Sequence, residues 1–268
     1  MIAIVIILLV IVLLYVLSVR GRKGFDGLSD LQGWYYAHRG LHSEGVPENS
    51  MAAFRAAKEG GYGVELDVHL MADGNLAVIH DSSLKRTAGV DVMIEDLTAP
   101  ELADYRLEGT DERIPLLSQV LNMFQGAVPV IVELKSYGGN CNQLCEAACA
   151  VLREYEGSYC IESYDPRCVV WLRTAHNDVI RGQLAQNFFL SKSRISNFLK
   201  FTMQHQILNV LSKPDFVAYR FEDRYTISNF IARKIWGVQG VAWTIRTQED
   251  LDTAVREGWI PIFENFRP

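Results

Sequence analysis

No CxxC pair occurs among the five cysteines, Cys141, Cys145, Cys149, Cys160 and Cys168, and their number is odd. A fully paired disulfide framework is thereby excluded, and a reducing compartment fits better. The chain also lacks an internal repeat, a low-complexity tract and an arginine-rich run, and its formal net charge is −6. Extended nucleic-acid binding needs a basic stripe to neutralise phosphates, so no nucleic-acid partner is expected. Nothing marks a boundary for a second globular domain. No basic residue precedes the apolar run 2–19, and small cleavage-site residues are poorly represented after it. A cleaved signal peptide is therefore disfavoured.

The apolar run and its basic flank point to a different role. Eighteen residues lie toward the short end of what spans a bilayer, and Arg20, Arg22 and Lys23 come directly after them. The expectation is a single-pass membrane anchor with its basic segment over 1–23, a polar linker over 24–33, and a domain over 34–268. The positive-inside rule puts that domain on the cytoplasmic side. Cys141, Cys145 and Cys149 recur every four residues and share a helix face. With no nearby histidine to complete a zinc set, they read as small thiols facing the core.

At 49% hydrophobic content, 268 residues can build one large core of the size an α/β barrel needs. The most informative stretch is 63–81. Glu65 and Asp67 alternate with Val64, Leu66 and Val68, so on a strand both carboxylates emerge on one face. A bound cation is the simplest device for holding two such acids together; a half-exposed edge strand with solvated acids is the plainer alternative. Asp73-Gly74 suits a tight reversal, after which an apolar run delivers His80 and Asp81 at its end.

Short apolar strands are expected at 34–37, 63–79 with its reversal, 128–134, 159–163, 179–185, 216–219, 240–245 and 259–263. Helices are expected at 51–59, 115–123, 142–155, 166–175, 193–211, 226–236 and 248–258. The alternation indicates a parallel sheet with helical crossovers. Nine candidate strands are one more than an eightfold barrel needs, and the excess lies either around Asp73 or in the C-terminal third.

Under that reading several polar residues fall at strand ends: His38 with Arg39, Glu65 with Asp67, His80 with Asp81, Glu133 with Lys135, and Ser163, joined by Trp243. In a barrel these ends converge on one mouth. Glu65, Asp67 and Glu133 make a hard oxygen site suited to Mg2+ or Ca2+. His38 and His80 can act as an acid and a base near neutrality. Arg39 can grip a phosphate, and Lys135 can offset charge developing on its oxygens. Phosphodiester cleavage asks for this combination; sugar-carboxylate chemistry stays open as an alternative. Ser163 has no His-Asp relay around it and reads as a strand-end support. His69 alternates onto the face of Asp67, whereas His42, His176 and His205 carry no motif.

These pieces, His38-Arg39-Gly40, Pro47-Glu48-Asn49, Glu65-Leu66-Asp67, Asp73-Gly74, His80-Asp81, Arg86-Thr87, Ile114-Pro115 and Glu133-Leu134-Lys135, occur in an order that resembles the glycerophosphodiester phosphodiesterase family. The resemblance is close over 36–136 and thereafter rests on layout plus Ser163 and Trp243-Thr244-Ile245. It implies a TIM-type (β/α)8 barrel that hydrolyses glycerophosphodiesters to an alcohol and sn-glycerol 3-phosphate with a divalent cation. It implies that His38 and His80 form the acid/base pair and that Glu65, Asp67 and Glu133 bind the cation. Arg39, Lys135 and Trp243 match the substrate side, and Glu48 matches a glutamate at the mouth. Two departures stand out. Tyr164 replaces a phenylalanine after the serine, and Phe263-Glu264-Asn265-Phe266 replaces a Thr-Asp-x-Pro ending. Arg246, where an asparagine is common, adds positive charge. Lysophospholipids still in a bilayer are the alternative substrate for a tethered barrel, and a non-catalytic membrane-associated scaffold is the alternative to an enzyme.

Overall fold

In this computed structural model residues 1–23, 26–191 and 195–268 are described. The apolar runs become strands whose outward faces are covered by helices. They are β1 (Tyr36–His38), β2 (Gly63–Leu70), β3 (Leu76–Val78), β4 (Val130–Leu134), β5 (Tyr159–Ser163), β6 (Arg181–Ala185), β7 (Phe216–Arg220), β8 (Gln239–Ile245) and β9 (Trp259–Phe263). Eight of them run parallel in the order β1-β9-β8-β7-β6-β5-β4-β2, and β1 pairs with β2 to close the barrel. β3 pairs antiparallel with β2, Val68 opposite Val78, so the ninth strand is the hairpin at Asp73. Gly74 takes φ +84° there, and the Asp73 carboxylate accepts from the Asn75 amide at 3.1 Å.

The period-2 alternation sorts residues as expected. Val64, Leu66 and Val68 pack outward with Phe54, Val120 and Leu144 in the main core. Inside, Tyr36, Ile131, Cys160, Phe216, Val241 and Ile260 fill the end where the strands begin. Gly182 has no room for a side chain, because a Cβ would meet the Phe216 ring at 2.1 Å. With that end plugged, polar side chains collect at the strands' C-terminal ends.

The helices are α1 (Ile2–Ser18), α2 (Met51–Glu59), α3 (Leu117–Phe124), α4 (Cys141–Leu152), α5 (Pro166–Ala175), α6 (Asn197–Gln204), α7 (Asn209–Ser212), α8 (Ile227–Phe230) and α9 (Gln248–Arg256). Ser50 caps α2 by accepting from the Ala53 amide, and Asp165 caps α5, whose first residue is Pro166. The single helix expected over 193–211 is instead α6 and α7, separated by Gln206 at φ +57°. Ser193, its expected start, lies outside the described residues. The segment between β2 and α3 carries its own apolar cluster, with Met71, Ile79, Leu84, Ile94 and Leu107, which supports the chain around His80.

The membrane-spanning helix expected at the N-terminus is not found. α1 has 17 residues, about 25 Å of helix against a hydrocarbon core of about 30 Å, and among the described residues no helix is long and apolar enough to cross a membrane. Its C-terminal end is engaged by the domain: the Val16 carbonyl accepts from Trp236 Nε1 at 2.7 Å, and Val19 is buried. The basic cluster serves the fold. Arg22 makes a paired contact with buried Asp215, at 2.5 and 2.6 Å, and donates to the Asn177 carbonyl. The 24–33 stretch is no free linker either. Its first two residues lie outside the described residues, but Asp26–Leu31 forms a 3-10 helix whose buried Leu31 joins the plug, and the Tyr36 hydroxyl donates to the Leu31 carbonyl at 2.9 Å.

Arg22→Ala leaves the buried Asp215 carboxylate without its cation, so unfolding in urea should show a loss of about 3 kcal/mol. Unchanged stability would contradict a structural role for this basic segment.

Candidate functional site

β1, β2 and β4 lie side by side, and the parallel register aligns His38 with Glu65 and Asp67 with Glu133. The strands therefore deliver the acids expected from spacing into one place. Glu65, Asp67 and Glu133 are all buried, with ligating oxygens within 4.8 Å of one another. Lys135 Nζ sits 2.9 Å from Asp67 and 2.6 Å from Glu133, and Arg39 Nε is 3.4 Å from Asp67. Asn49 donates to Asp67 at 2.8 Å, and the Arg39 amide donates to Glu65 at 3.1 Å.

The electrostatics separate these acids. Burial would raise Asp67, but Lys135, His80 and Arg39 outweigh it and hold the carboxyl well below its usual range. Glu65 goes well above, through burial first and then the charges of Asp67 and Glu133. Glu133 is also raised, by burial and by Asp67, against the pull of Lys135. The cationic groups present thus compensate Asp67 but not the whole cluster. The Lys135 ammonium is set against Asp67 Oδ1, and among the described residues no cation is set against Glu65 in the same way. An all-oxygen donor set in which Glu65 is driven toward protonation for want of positive charge fits a hard divalent cation.

Both expected histidines line one cavity of about 170 Å3, together with Arg39, Glu65, Lys135 and Trp243. His38 Nδ1 lies 2.9 Å from Glu264, which leaves Nε2 toward Glu65 at 3.9 Å. Burial lowers the His38 pKa despite the Glu264 hydrogen bond. His80 Nδ1 lies 2.6 Å from Asp81, which Arg86 also grips at 2.6 Å. Glu48 bridges Arg39 at 2.9 Å and Arg86 at 2.7 Å, and so orients the two guanidinium groups. Ser163 donates to the Leu134 carbonyl at 2.8 Å and accepts from the Asp165 amide, the support role its spacing implied. Trp243 stands edge-on to Tyr164, ring centroids 5.9 Å apart.

Four residues escaped the sequence-based selection. Glu264, noted only as part of an altered ending, holds His38, and Arg246 holds Glu264 at 2.9 Å, so the altered ending and Arg246 act as one unit. Glu162 is buried beside the cluster, registered opposite Glu133, with its pKa driven well above normal by burial and by Glu133. Its place as the only acid in an apolar strand was the available signal. His69 bridges Glu95 at 2.7 Å and the His80 carbonyl at 3.1 Å, and so braces the histidine without entering the cavity.

Comparison with known proteins agrees with this architecture. A glycerophosphodiester phosphodiesterase 1 from Bos taurus is 28% identical over 250 residues, covering 80% of this chain and 72% of that protein. A lysophospholipase D from Rattus norvegicus is 36% identical over 135 residues, covering 46% of this chain; the match spans 41% of that relative's length. Among solved structures, an Oleispira antarctica phosphodiesterase in complex with sn-glycerol-3-phosphate superposes with a TM-score of 0.71 at 21% identity, over 87% of this chain and 93% of that one. A Thermotoga maritima glycerophosphodiester phosphodiesterase gives a TM-score of 0.66 at 24% identity, over 86% and 93%. At such identities the superpositions speak for the fold alone. The family model of the glycerophosphoryl diester phosphodiesterases begins at His38 and runs to residue 266, taking in every strand end described above, and this chain belongs to that family.

Proposed function

We propose that the chain hydrolyses glycerophosphodiesters to an alcohol and sn-glycerol 3-phosphate, with a single phosphate held in the mouth between His38 and His80. The observation that carries this reading is the shared cavity: two imidazoles, each oriented through Nδ1 by its own carboxylate, open onto the same small space as the acid cluster. Glu264 and Asp81 accept from Nδ1 and so leave each Nε2 for the substrate. His38, kept neutral by burial, is suited to take the proton of the attacking hydroxyl, either water or the substrate's own glycerol hydroxyl. His80 then donates to the departing alkoxide. Arg39 and Lys135 face the cavity as fixed positive charges for the phosphate oxygens. Glu65, Asp67 and Glu133 would hold the cation, Mg2+ or Ca2+, which when bound neutralises charge on the phosphate. Trp243 supplies an apolar wall.

A second substrate reading is favoured by a neighbouring cleft of about 930 Å3, which shares His80, Glu133 and Lys135 with the mouth and continues along Phe188, Ile195, Leu199 and Met203. An acyl chain fits such a wall, so lysophospholipids are the alternative substrate, as the name of the rat relative states for that protein. The apolar side chains exposed all around α1 support contact of this helix with a lipid phase. Five free, buried cysteines support a reducing, cytoplasmic setting for the domain.

Three outcomes are expected. His38→Ala and His80→Ala should each lower kcat on glycerophosphocholine by about a hundredfold or more, and full activity in both would refute the assignment. Glu264→Gln, which keeps a hydrogen-bonding group but loses the charge, should lower kcat by at least about tenfold with little change in KM. Leu199→Glu should reduce kcat/KM for lysophosphatidylcholine by about tenfold while glycerophosphocholine stays within about twofold. Equal effects on both substrates would remove the lysolipid reading and leave the soluble-diester one intact.

A further inference from the structure

Sequence spacing grouped Cys141 with Cys145 and Cys149 along one helix face. The structure groups them differently. Cys168, from the first turn of α5, comes against Cys141 and Cys145 in the first turns of α4, and the three sulfurs lie within 4.8 Å of one another. Cys149, one turn further along, is not part of the group. All three thiols are buried, and among the described residues no histidine or carboxylate joins their ligand set.

We propose that Cys141, Cys145 and Cys168 form a three-coordinate thiolate site for a soft d10 cation, Cu(I) in preference to Zn(II). Metal–sulfur bonds of about 2.3 Å place the corners of a trigonal site about 4 Å apart, so the observed sulfur positions need only a small contraction. The donors are all sulfur, which selects thiophilic ions over the Mg2+ or Ca2+ suited to the acid cluster. A three-sulfur set without a fourth donor matches the lower coordination number of Cu(I), whereas structural zinc sites are four-coordinate.

Cys141 opens α4 and Cys168 lies in the first turn of α5, so both sit near the positive end of a helix dipole. Hydrogen bonds from Cys145 and Cys168 lower the Cys141 thiol, whereas the same contacts and burial raise Cys145 and Cys168, whose protons an incoming ion has to displace. The exposed turn Tyr137, Gly138 and Gly139, with both glycines at positive φ, comes just before Asn140 and Cys141. Binding exchanges thiol protons for the ion and involves no change of oxidation state, so no oxidant or reductant enters the balance.

The site lies under the loops that carry Ser136 and Asp165, which are joined at 2.7 Å. It shares no residue with the acid cluster, so its presence does not depend on the hydrolytic reading. The test uses the full chain, reduced and oxygen-free, with Mg2+ in excess to occupy hard sites. Cu(I) is added from a chromogenic chelator, and Zn(II) is added in a parallel arm. The expected result is one Cu(I) per chain retained against the chelator, a thiolate-to-copper charge-transfer band in the ultraviolet, and a rise in Tm. Cys141→Ser and Cys168→Ser should each abolish retention, whereas Cys149→Ser and Cys160→Ser should keep it. Should a serine variant fail to fold, X-ray absorption of the copper-loaded wild type decides, with three sulfur neighbours expected. The proposal is overturned by no retained Cu(I) in the folded wild type, by retention that survives Cys141→Ser or Cys168→Ser, or by preference for Zn(II).

Discussion

The mouth depends on how few cations serve its buried acids. Glu65, Asp67, Glu133 and Glu162 are all removed from water, and Lys135 and Arg39 are the basic groups set against them. Carboxylates this close and this buried cannot all ionise without further positive charge. The two cations favour Asp67, whose carboxyl is held low, while Glu65, Glu133 and Glu162 are driven up. A divalent cation would supply the remaining charge, and the strand register is what makes the deficit unavoidable. β1, β2, β4 and β5 run parallel and in register, which sets His38 beside Glu65, Asp67 beside Glu133 and Glu133 beside Glu162.

Around that cluster the other charges serve orientation. Glu264 with Arg246 holds one imidazole, and Asp81 with Arg86 holds the other. Glu48 ties Arg86 to Arg39. The apolar cluster between β2 and α3 supports the loop that presents His80, and His69 bonds the His80 backbone carbonyl from behind. At the opposite end, Leu31, Tyr36 and Phe216 plug the barrel, and Arg22 reaches Asp215 to tie the N-terminal segment down. Function is thereby confined to one end of the barrel.

Much of this could be read from local pattern. Alternation along 63–70 put Glu65 and Asp67 on one face, Asp73-Gly74 marked the hairpin, and the runs ending at His38, His80 and Glu133 each finished on a polar residue that lines the mouth. Strand bounds at 159–163 and 259–263 and helix bounds at 51–59 and 166–175 agree with the structure. The failures are tertiary. A run of eighteen apolar residues reads as an anchor until its last turn is seen engaged by Trp236. Arg22 also pairs with Asp215, far along the chain, and nothing local in the sequence reveals that contact. Glu264 looked like a lost aspartate because nothing in the sequence reveals that it reaches His38. Cys168 joined the thiol cluster, and Cys149 left it, for the same reason: helix packing, not helix periodicity, brought the sulfurs together.

The most direct test of the central claim is calorimetric titration of Mg2+ and of Ca2+ into the metal-free chain and into Asp67→Asn. The account predicts a single saturable site in the wild type for at least one of the two ions, and its loss in the variant with the barrel still folded. Absence of binding in the wild type, or the same affinity in both proteins, would contradict it.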